Sequence, residues 1–247
     1  MRIAILSDIH GNLWALEKVL ADAEARGVDA YVNLGDVLFG PLDPKGTWER
    51  VKDEPWITIQ GNQDRALYEA TAQELAENET LAFVVSEVGQ EAVDWCEALP
   101  ETTVFEDTFL CHGTPESDLE YLLEDVSTGF PTVKEPREIQ RLLAPHPQSL
   151  ILCGHTHVPR TVQLPDGKIV LNPGSIGLPA YGAGGAVPHA MEGSSPHASY
   201  AIAERRGNGP WTLEHRRIPY PHQEAARRAK ELGREDWAAW IATGFAR

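Results

Sequence analysis

Five short clusters in this chain hold residues able to bind cations and activate water. They are Asp8-Ile9-His10, Gly35-Asp36, Gly61-Asn62-Gln63-Asp64, His112-Gly113 and Gly154-His155-Thr156-His157. Carboxylates, neutral imidazoles and an amide oxygen suit Mn, Fe, Zn, Co or Ni, and the lack of a thiolate argues against a structural zinc site. The candidate ligands are Asp8, His10, Asp36, Asn62, His112, His155 and His157. That is too many for one tetrahedral ion and about right for two ions sharing a carboxylate. Two divalent cations carry more charge than Asp8 and Asp36 remove, so the site stays positive and attracts phosphate. Ions about 3.5–4 Å apart lower the pKa of a water between them and clamp both the attacking and the leaving oxygen.

Each cluster follows a short apolar run of strand character: Arg2 to Ser7, Tyr31 to Leu34, Trp56 to Ile59, Thr108 to Cys111 and Ser149 to Cys153. The polar residues therefore sit just past strand carboxyl ends, the edge where open α/β sheets gather ligands. Glycines before Asp36, Asn62 and His155 permit tight turns that aim those side chains inward. His155 and His157, two apart on an extended chain, are expected to face one side. Leu13, Leu16, Leu20 and Ala23 recur at helical spacing before Gly27, and Val88, Ala92, Trp95, Cys96 and Leu99 form a second apolar face ending at Pro100. Further β runs are Thr103 to Phe105, Thr161 to Leu171 folded at Pro165-Asp166-Gly167, and 199–206 with 211–218 joined across Gly207-Asn208-Gly209. A charged helical segment starts near His222. Residues 114–147 and 177–198 read as irregular insertions, the latter a long loop. Early β-α alternation followed by late hairpins predicts an α/β chain with mixed sheet structure covered by helices, one domain over 1–247.

With 37 acidic against 21 basic residues the net charge is −16, which repels a polyanion; no basic block compensates, so nucleic acid is disfavoured as a partner. Screening beyond about 8 Å leaves a small phosphate compound free to approach. No apolar run reaches the roughly 20 residues of a membrane span, and the apolar start, Ile3 to Leu6, is too short for a secretory signal, so a cytoplasmic protein is expected. Cys96, Cys111 and Cys153 lie far apart in apolar segments and read as buried thiols.

Plainer roles compete for several residues. An isolated Asp8 or Asp36 is compatible with a helix N-cap, and an isolated His112 with a core histidine; their neighbours shift both toward ligation. His146, His215 and His222 stand apart from any motif, whereas His189 and His197 lie in a segment that a mobile loop would bring over the site. Arg65 and Arg160 flank motifs and suit either phosphate or a surface ion pair. Trp14, Trp48, Trp56 and Trp95 are assigned to the core. No H-x-H-x-D-H run, no D-x-D after the first strand and no phosphate-binding G-x-x-x-x-G-K-[ST] loop is present, which sets aside three other hydrolase designs.

The ordered set D-x-H, G-D, G-N, H and G-H-x-H, with Asn172-Pro173-Gly174-Ser175 after it, resembles the signature of the calcineurin-like metallophosphoesterase family, in its small prokaryotic branch. The resemblance covers roughly residues 1–175. It implies two packed mixed β-sheets flanked by helices, an α/β/β/α sandwich, and two divalent transition-metal ions, manganese foremost. One ion would be held by Asp8, His10, Asp36 and His157; Asp36 would bridge to a second held by Asn62, His112 and His155. The implied reaction is in-line attack of a bridging hydroxide on a phosphate ester, with Asp36, Gln63 and Asp64 as catalytic residues and Asn62, Arg65 and Arg160 contacting substrate. The substrate range is a small phosphate ester or nucleotide, or a phosphoprotein. A metal-binding scaffold and a nuclease are the alternatives within the resemblance. One position departs: family motifs usually read G-N-H-D or G-N-H-E, and here the histidine is Gln63. An amide donates no proton, which points to leaving groups that need little protonation.

Overall fold

The computed structural model describes residues 1–246. In chain order its elements are β1 (Arg2–Leu6), α1 (Leu13–Ala25), β2 (Ala30–Asn33), α2 (Pro44–Val51), β3 (Ile57–Thr58), α3 (Asn62–Glu69), α4 (Ala72–Glu77), α5 (Glu79–Ala98), β4 (Thr102–Phe105), β5 (Thr108–Cys111), β6 (Glu124–Asp125) and β7 (Thr132–Val133). There follow α6 (Pro136–Leu142), β8 (Leu150–Leu152), β9 (Arg160–Gln163), β10 (Ile169–Asn172), β11 (Ala180–Ala183), β12 (His189–Glu192), β13 (Ala198–Glu204), β14 (Thr212–Ile218), α7 (His222–Glu231) and α8 (Glu235–Thr243). Two five-stranded mixed sheets result, ordered β14-β13-β1-β2-β3 and β4-β5-β8-β10-β9.

Strand alternation explains the layers. Ile3 and Ile5 of β1 point between the sheets, where they meet Val32, Leu110, Leu152 and Leu171, all fully buried. Ala4 and Leu6 point the other way, onto α1, α5 and the C-terminal helices. The outer face of the second sheet, with Phe109, Ile151 and Val170, is covered by Ile139 of α6 and by Leu143, the residue after that helix. Burying each such large aliphatic side chain contributes about 1.5–3 kcal/mol, so slipping a strand by one residue would expose a whole row. The Asn12 side chain caps α1 by accepting from the Ala15 N–H at 3.1 Å, and donates to the Gly177 carbonyl at 2.9 Å, tying the helix start to a distant loop.

Parallel pairing sets the positions of the ligand loops. Leu6 is level with Asn33, and Asn33 with Thr58; in the second sheet Leu110 is level with Leu152. The carboxyl ends of β1, β2, β3, β5 and β8 therefore finish at one edge. Some boundaries differ from the sequence expectation. The third strand pairs only over Ile57–Thr58, and the helix expected over 88–99 begins at Glu79, interrupted at Gly89 (φ 75°). Segment 177–198 is not a long loop: β11 and β12 pair within it, Ala180 opposite Glu192. Its small residues and short strands hid the alternation that marks a hairpin. Segment 114–147 contains the β6–β7 pair and α6. The three cysteines are buried and unpaired. Among the described residues no helix is long and apolar enough to cross a membrane.

Candidate metal centre

The five strand-end loops meet in unusual backbone geometry. Asp8, His10, Asp36, His155 and His157 have φ of 53°, 52°, 57°, 67° and 59°; among the described residues only Glu106 and Ser194 share this left-handed conformation without being glycine. Each such residue costs of order 1–3 kcal/mol and persists only where its surroundings over-determine it. Here the loops hydrogen-bond to one another: Asp8 N–H to the Gly35 carbonyl, His10 N–H to that of Asp36 and Gly11 N–H to that of Val37, each at 3.0 Å. The Asp8 carbonyl accepts from Gly177 N–H at 3.0 Å and from the Ser175 hydroxyl at 2.8 Å. His155 and His157 thus share a side of the chain through two left-handed turns, not through the extended strand expected from their spacing.

Each loop is also packed closely at its glycine. A Cβ on Gly61 would overlap the Asp36 carboxylate and backbone, and one on Gly154 would overlap the Ser7 hydroxyl. The Ser7 hydroxyl hydrogen-bonds to Asp8 Oδ2, which also accepts from the His155 N–H at 3.3 Å.

The side chains form two clusters, Asp8 with His10 and His157, and Asp36 with His112 and His155, each with its ligand atoms within 4.8 Å of one another. The ring nitrogens can be assigned from their partners. Nδ1 of His10 lies 2.9 Å from the Phe39 carbonyl and Nδ1 of His157 2.6 Å from that of Leu178, so each Nδ1–H donates there. Their Nε2 atoms then carry lone pairs, yet they face each other at 3.2 Å. Asp8 Oδ1 is 3.1 Å from His157 Nε2, is buried, and accepts no hydrogen bond. Three acceptors converge with no donor between them, an arrangement that repels itself and that a cation satisfies. In the second cluster His112 Nδ1 donates to the Leu34 carbonyl (2.6 Å), leaving Nε2 at 3.1 Å from Asn62 Oδ1 and 3.5 Å from Asp36 Oδ2. His155 is reversed: its Nε2 lies 3.1 Å from the Leu119 carbonyl, so Nδ1 is the free ligand. Asp36 Oδ2 is also 3.9 Å from His10 Nε2, which places this carboxylate between the clusters.

The electrostatics follow from burial and pairing. Burial alone would raise the Asp36 carboxyl, but His112 beside it holds it below the usual carboxylate range. Burial works against protonation of His112, yet the Asp36 carboxylate raises it to about 10. Burial, then the nearby His112, lowers His155 to about 4; burial, then His157, also lowers His10.

Three assigned residues have other engagements. Asp64 is fully buried and accepts from the backbone N–H groups of Asp36 (2.7 Å), Val37 (2.9 Å) and Gly61 (3.0 Å). It clamps the Asp36 loop to the start of α3 and does not line the cavity; burial and the Asp36 charge push its pKa to about 7. Arg65 is held by Asp118 (2.8 and 3.2 Å) and Glu69 (2.6 Å), and Arg160 by the buried Glu124 (2.9 Å). Gln63 does face the site: its backbone N–H donates to Asp36 Oδ1 at 2.8 Å and its side chain lines the cavity beside Asn62.

Some supporting residues were given no role from sequence. Asn172 donates to the Gly154 carbonyl (2.6 Å) and to Thr156 Oγ1 (3.0 Å), fixing the G-H-x-H turn. Tyr181 places its ring edge-on to His157 (4.7 Å between centroids), and Trp237 does the same to His10 (5.6 Å). Ser7, directly before Asp8, carried a local signal as a polar residue ending an apolar strand. Tyr181 and Trp237 carried none.

A model of the calcineurin-like phosphoesterase superfamily domain matches residues 1–192. An uncharacterized protein of Methanocaldococcus jannaschii is 26% identical over 203 residues, covering 73% of this chain and 78% of that protein. The crystal structure of a metallophosphoesterase from Sphaerobacter thermophilus aligns over 99% of both chains with a TM-score of 0.77 and 25% identity. That of a hypothetical protein from Pyrococcus horikoshii aligns over 98% of both with a TM-score of 0.74; at 19% identity this likeness concerns the fold alone.

Proposed function

The chain belongs to the calcineurin-like phosphoesterase superfamily, and from that premise we propose that it hydrolyses a phosphate ester of a small molecule with two divalent cations, manganese foremost. The observation that carries this reading is the pair of lone-pair-bearing Nε2 atoms of His10 and His157, 3.2 Å apart beside the unsatisfied Asp8 Oδ1. Asp8, His10 and His157 would hold one ion, Asn62, His112 and His155 the other, and Asp36 would be shared. When bound, such a pair supplies Lewis acidity, activating water at neutral pH and neutralising charge on phosphoryl oxygens.

The chain's own residues account for the rest. The four carbonyls that accept from the imidazoles fix ring orientation, and with it which nitrogen faces inward. The first turn of α3 presents Asn62 and Gln63 at the cavity, and its Gln63 N–H holds the Asp36 carboxylate in place at 2.8 Å. Gln63 can donate a hydrogen bond to an ester oxygen but cannot protonate it. Loss of a general acid typically costs 10²–10⁴-fold, so the preferred substrates are those whose leaving group departs with little protonation, such as the phosphoanhydrides of nucleoside polyphosphates or activated diesters.

Metal analysis of the purified protein, followed by a panel of phosphomonoesters and diesters with added manganese, tests this. Near two equivalents of metal with turnover of small esters is the expected result. Stoichiometric metal without turnover of any ester would favour a scaffold, and cleavage of nucleic acid alone a nuclease.

A further inference from the structure

The cavity beside the clusters has a second wall that the reaction chemistry leaves unused. Its volume is about 310 Å³, near the lower end of small-molecule pockets. It has room for a ligand of mononucleotide size. Asp36, Asn62 and Gln63 form one side, while Tyr181 of β11 and Trp237 and Trp240 of α8 form another. Helix α8 lies beyond the residues that match the family domain.

The three aromatic rings are not equivalent. Trp237 is buried, with His10 against it and the Arg234 guanidinium 5.4 Å from its ring centre. The Tyr181 hydroxyl bonds to Tyr121 and to the His155 carbonyl, both at 3.1 Å, and its ring supports His157. Both rings are occupied in holding the ligand histidines. Trp240 is half-buried and rests against the backbone at Gly182, where an added Cβ would lie 3.8 Å from Cζ2. Its indole lines the cavity without a hydrogen bond or ring contact to another described residue.

The fringe of this wall is polar. The Gln63 amide and the Asp236 carboxylate face the same cavity, and Asp236 is neutralised by Arg234 at 2.7 Å. An aliphatic chain would strip water from these groups and return no hydrogen bond. A second anionic group would meet no unpaired cation. A flat heteroaromatic ring suits both features, with a face for the indole and edge donors and acceptors for the fringe.

We propose that Trp240 is a stacking platform for a nucleobase on the substrate, whose phosphate lies on the Asp36–Asn62 side of the cavity. This rests on the phosphoesterase reading above. The test uses manganese-loaded full-length protein with adenosine 5′-monophosphate and ribose 5-phosphate, which share the phosphate and sugar and differ by the base. Binding of the two ligands is followed by calorimetry, and turnover is read separately on a panel of p-nitrophenyl esters, whose leaving group needs no protonation. A stacked base is expected to tighten binding by roughly tenfold to a hundredfold. Trp240→Ala should cut that ratio to about twofold or less. Trp240→Leu, which keeps α8 packed, should do the same, and Trp240→Phe should keep most of it. Equal binding of the two ligands by the unaltered protein, no binding of the nucleotide, or a ratio unmoved in the Ala and Leu variants would overturn the proposal. Ester turnover without any base preference would sink the platform and leave the phosphoesterase reading intact. Base-dependent binding with no turnover of any ester would do the reverse.

Discussion

The Asp8–His10–His157 cluster and the Asp36–His112–His155 cluster use the same donor set, one carboxylate and two imidazoles, in different surroundings. In the first, all three side chains are buried, both rings are held through Nδ1 to carbonyls, and Trp237 and Tyr181 pack against them. In the second, His112 is fixed in the same way, but His155 is only partly buried and depends on the Leu119 carbonyl in the irregular 114–147 segment. Ligand identity is thus shared, and enclosure is not. If the clusters hold ions as proposed, the first would retain its ion more firmly, and the second would face the cavity that Asn62 and Gln63 line.

The most damaging change removes the group common to both. Asp36→Ala is expected to lower kcat by about 10³-fold or more and to leave at most about one metal per chain, read by metal analysis and steady-state kinetics. If that variant keeps two ions, the clusters are independent and the shared carboxylate is wrong.

Next comes the asymmetry itself. His10→Ala should weaken metal binding more than His155→Ala does, each by at least the roughly tenfold to hundredfold lost when only a ligand's supporting partner is removed. A chelator titration should strip the unaltered protein in two steps. Equal losses in the two variants, or one step, would erase the distinction.

Gly61→Ala probes the packing that brings Asp36 to its place, because the added methyl overlaps that carboxylate. A destabilisation of about 1–3 kcal/mol is expected from overpacking, together with a loss of metal affinity larger than that of Gly207→Ala at an open turn. Thermal melts with and without manganese measure both effects.

The smallest effect is in protons. In the metal-free protein His112, raised to about 10 by Asp36 despite burial, carries a proton at neutral pH, whereas His155 at about 4 and the lowered His10 do not. A cation must displace that proton, so affinity at the second cluster rises with pH from neutrality toward about 10. Calorimetry in two buffers of different ionisation enthalpy should find about one proton released for two ions bound. Release of none would mean His112 is neutral before metal arrives.

Much of this was legible in the chain itself. That Asp8, His10, Asp36, Asn62, His112, His155 and His157 would converge was readable because a polar residue directly after an apolar strand is a local signal, and parallel pairing carries such residues to one edge wherever the strands lie. The two-sheet sandwich followed from the family resemblance those motifs carry. Other features depended on distant neighbours. Arg65 and Arg160 flank motifs but are claimed by Asp118, Glu69 and Glu124, and Asp64, inside a motif, turns away to hold backbone. Sequence proximity does not say where a side chain finds its partner.

The sequence by itself determined the types of the candidate ligands, their order and their strand-end placement, because each is written within a few consecutive residues. Only the tertiary structure decided the left-handed turns, which nitrogen of each imidazole faces inward, and the aromatic wall brought by α8 from about 175 residues beyond the Asn62–Gln63 pair it faces. Those depend on carbonyls and rings contributed across the fold, and packing of that range leaves no periodic or local trace in the chain.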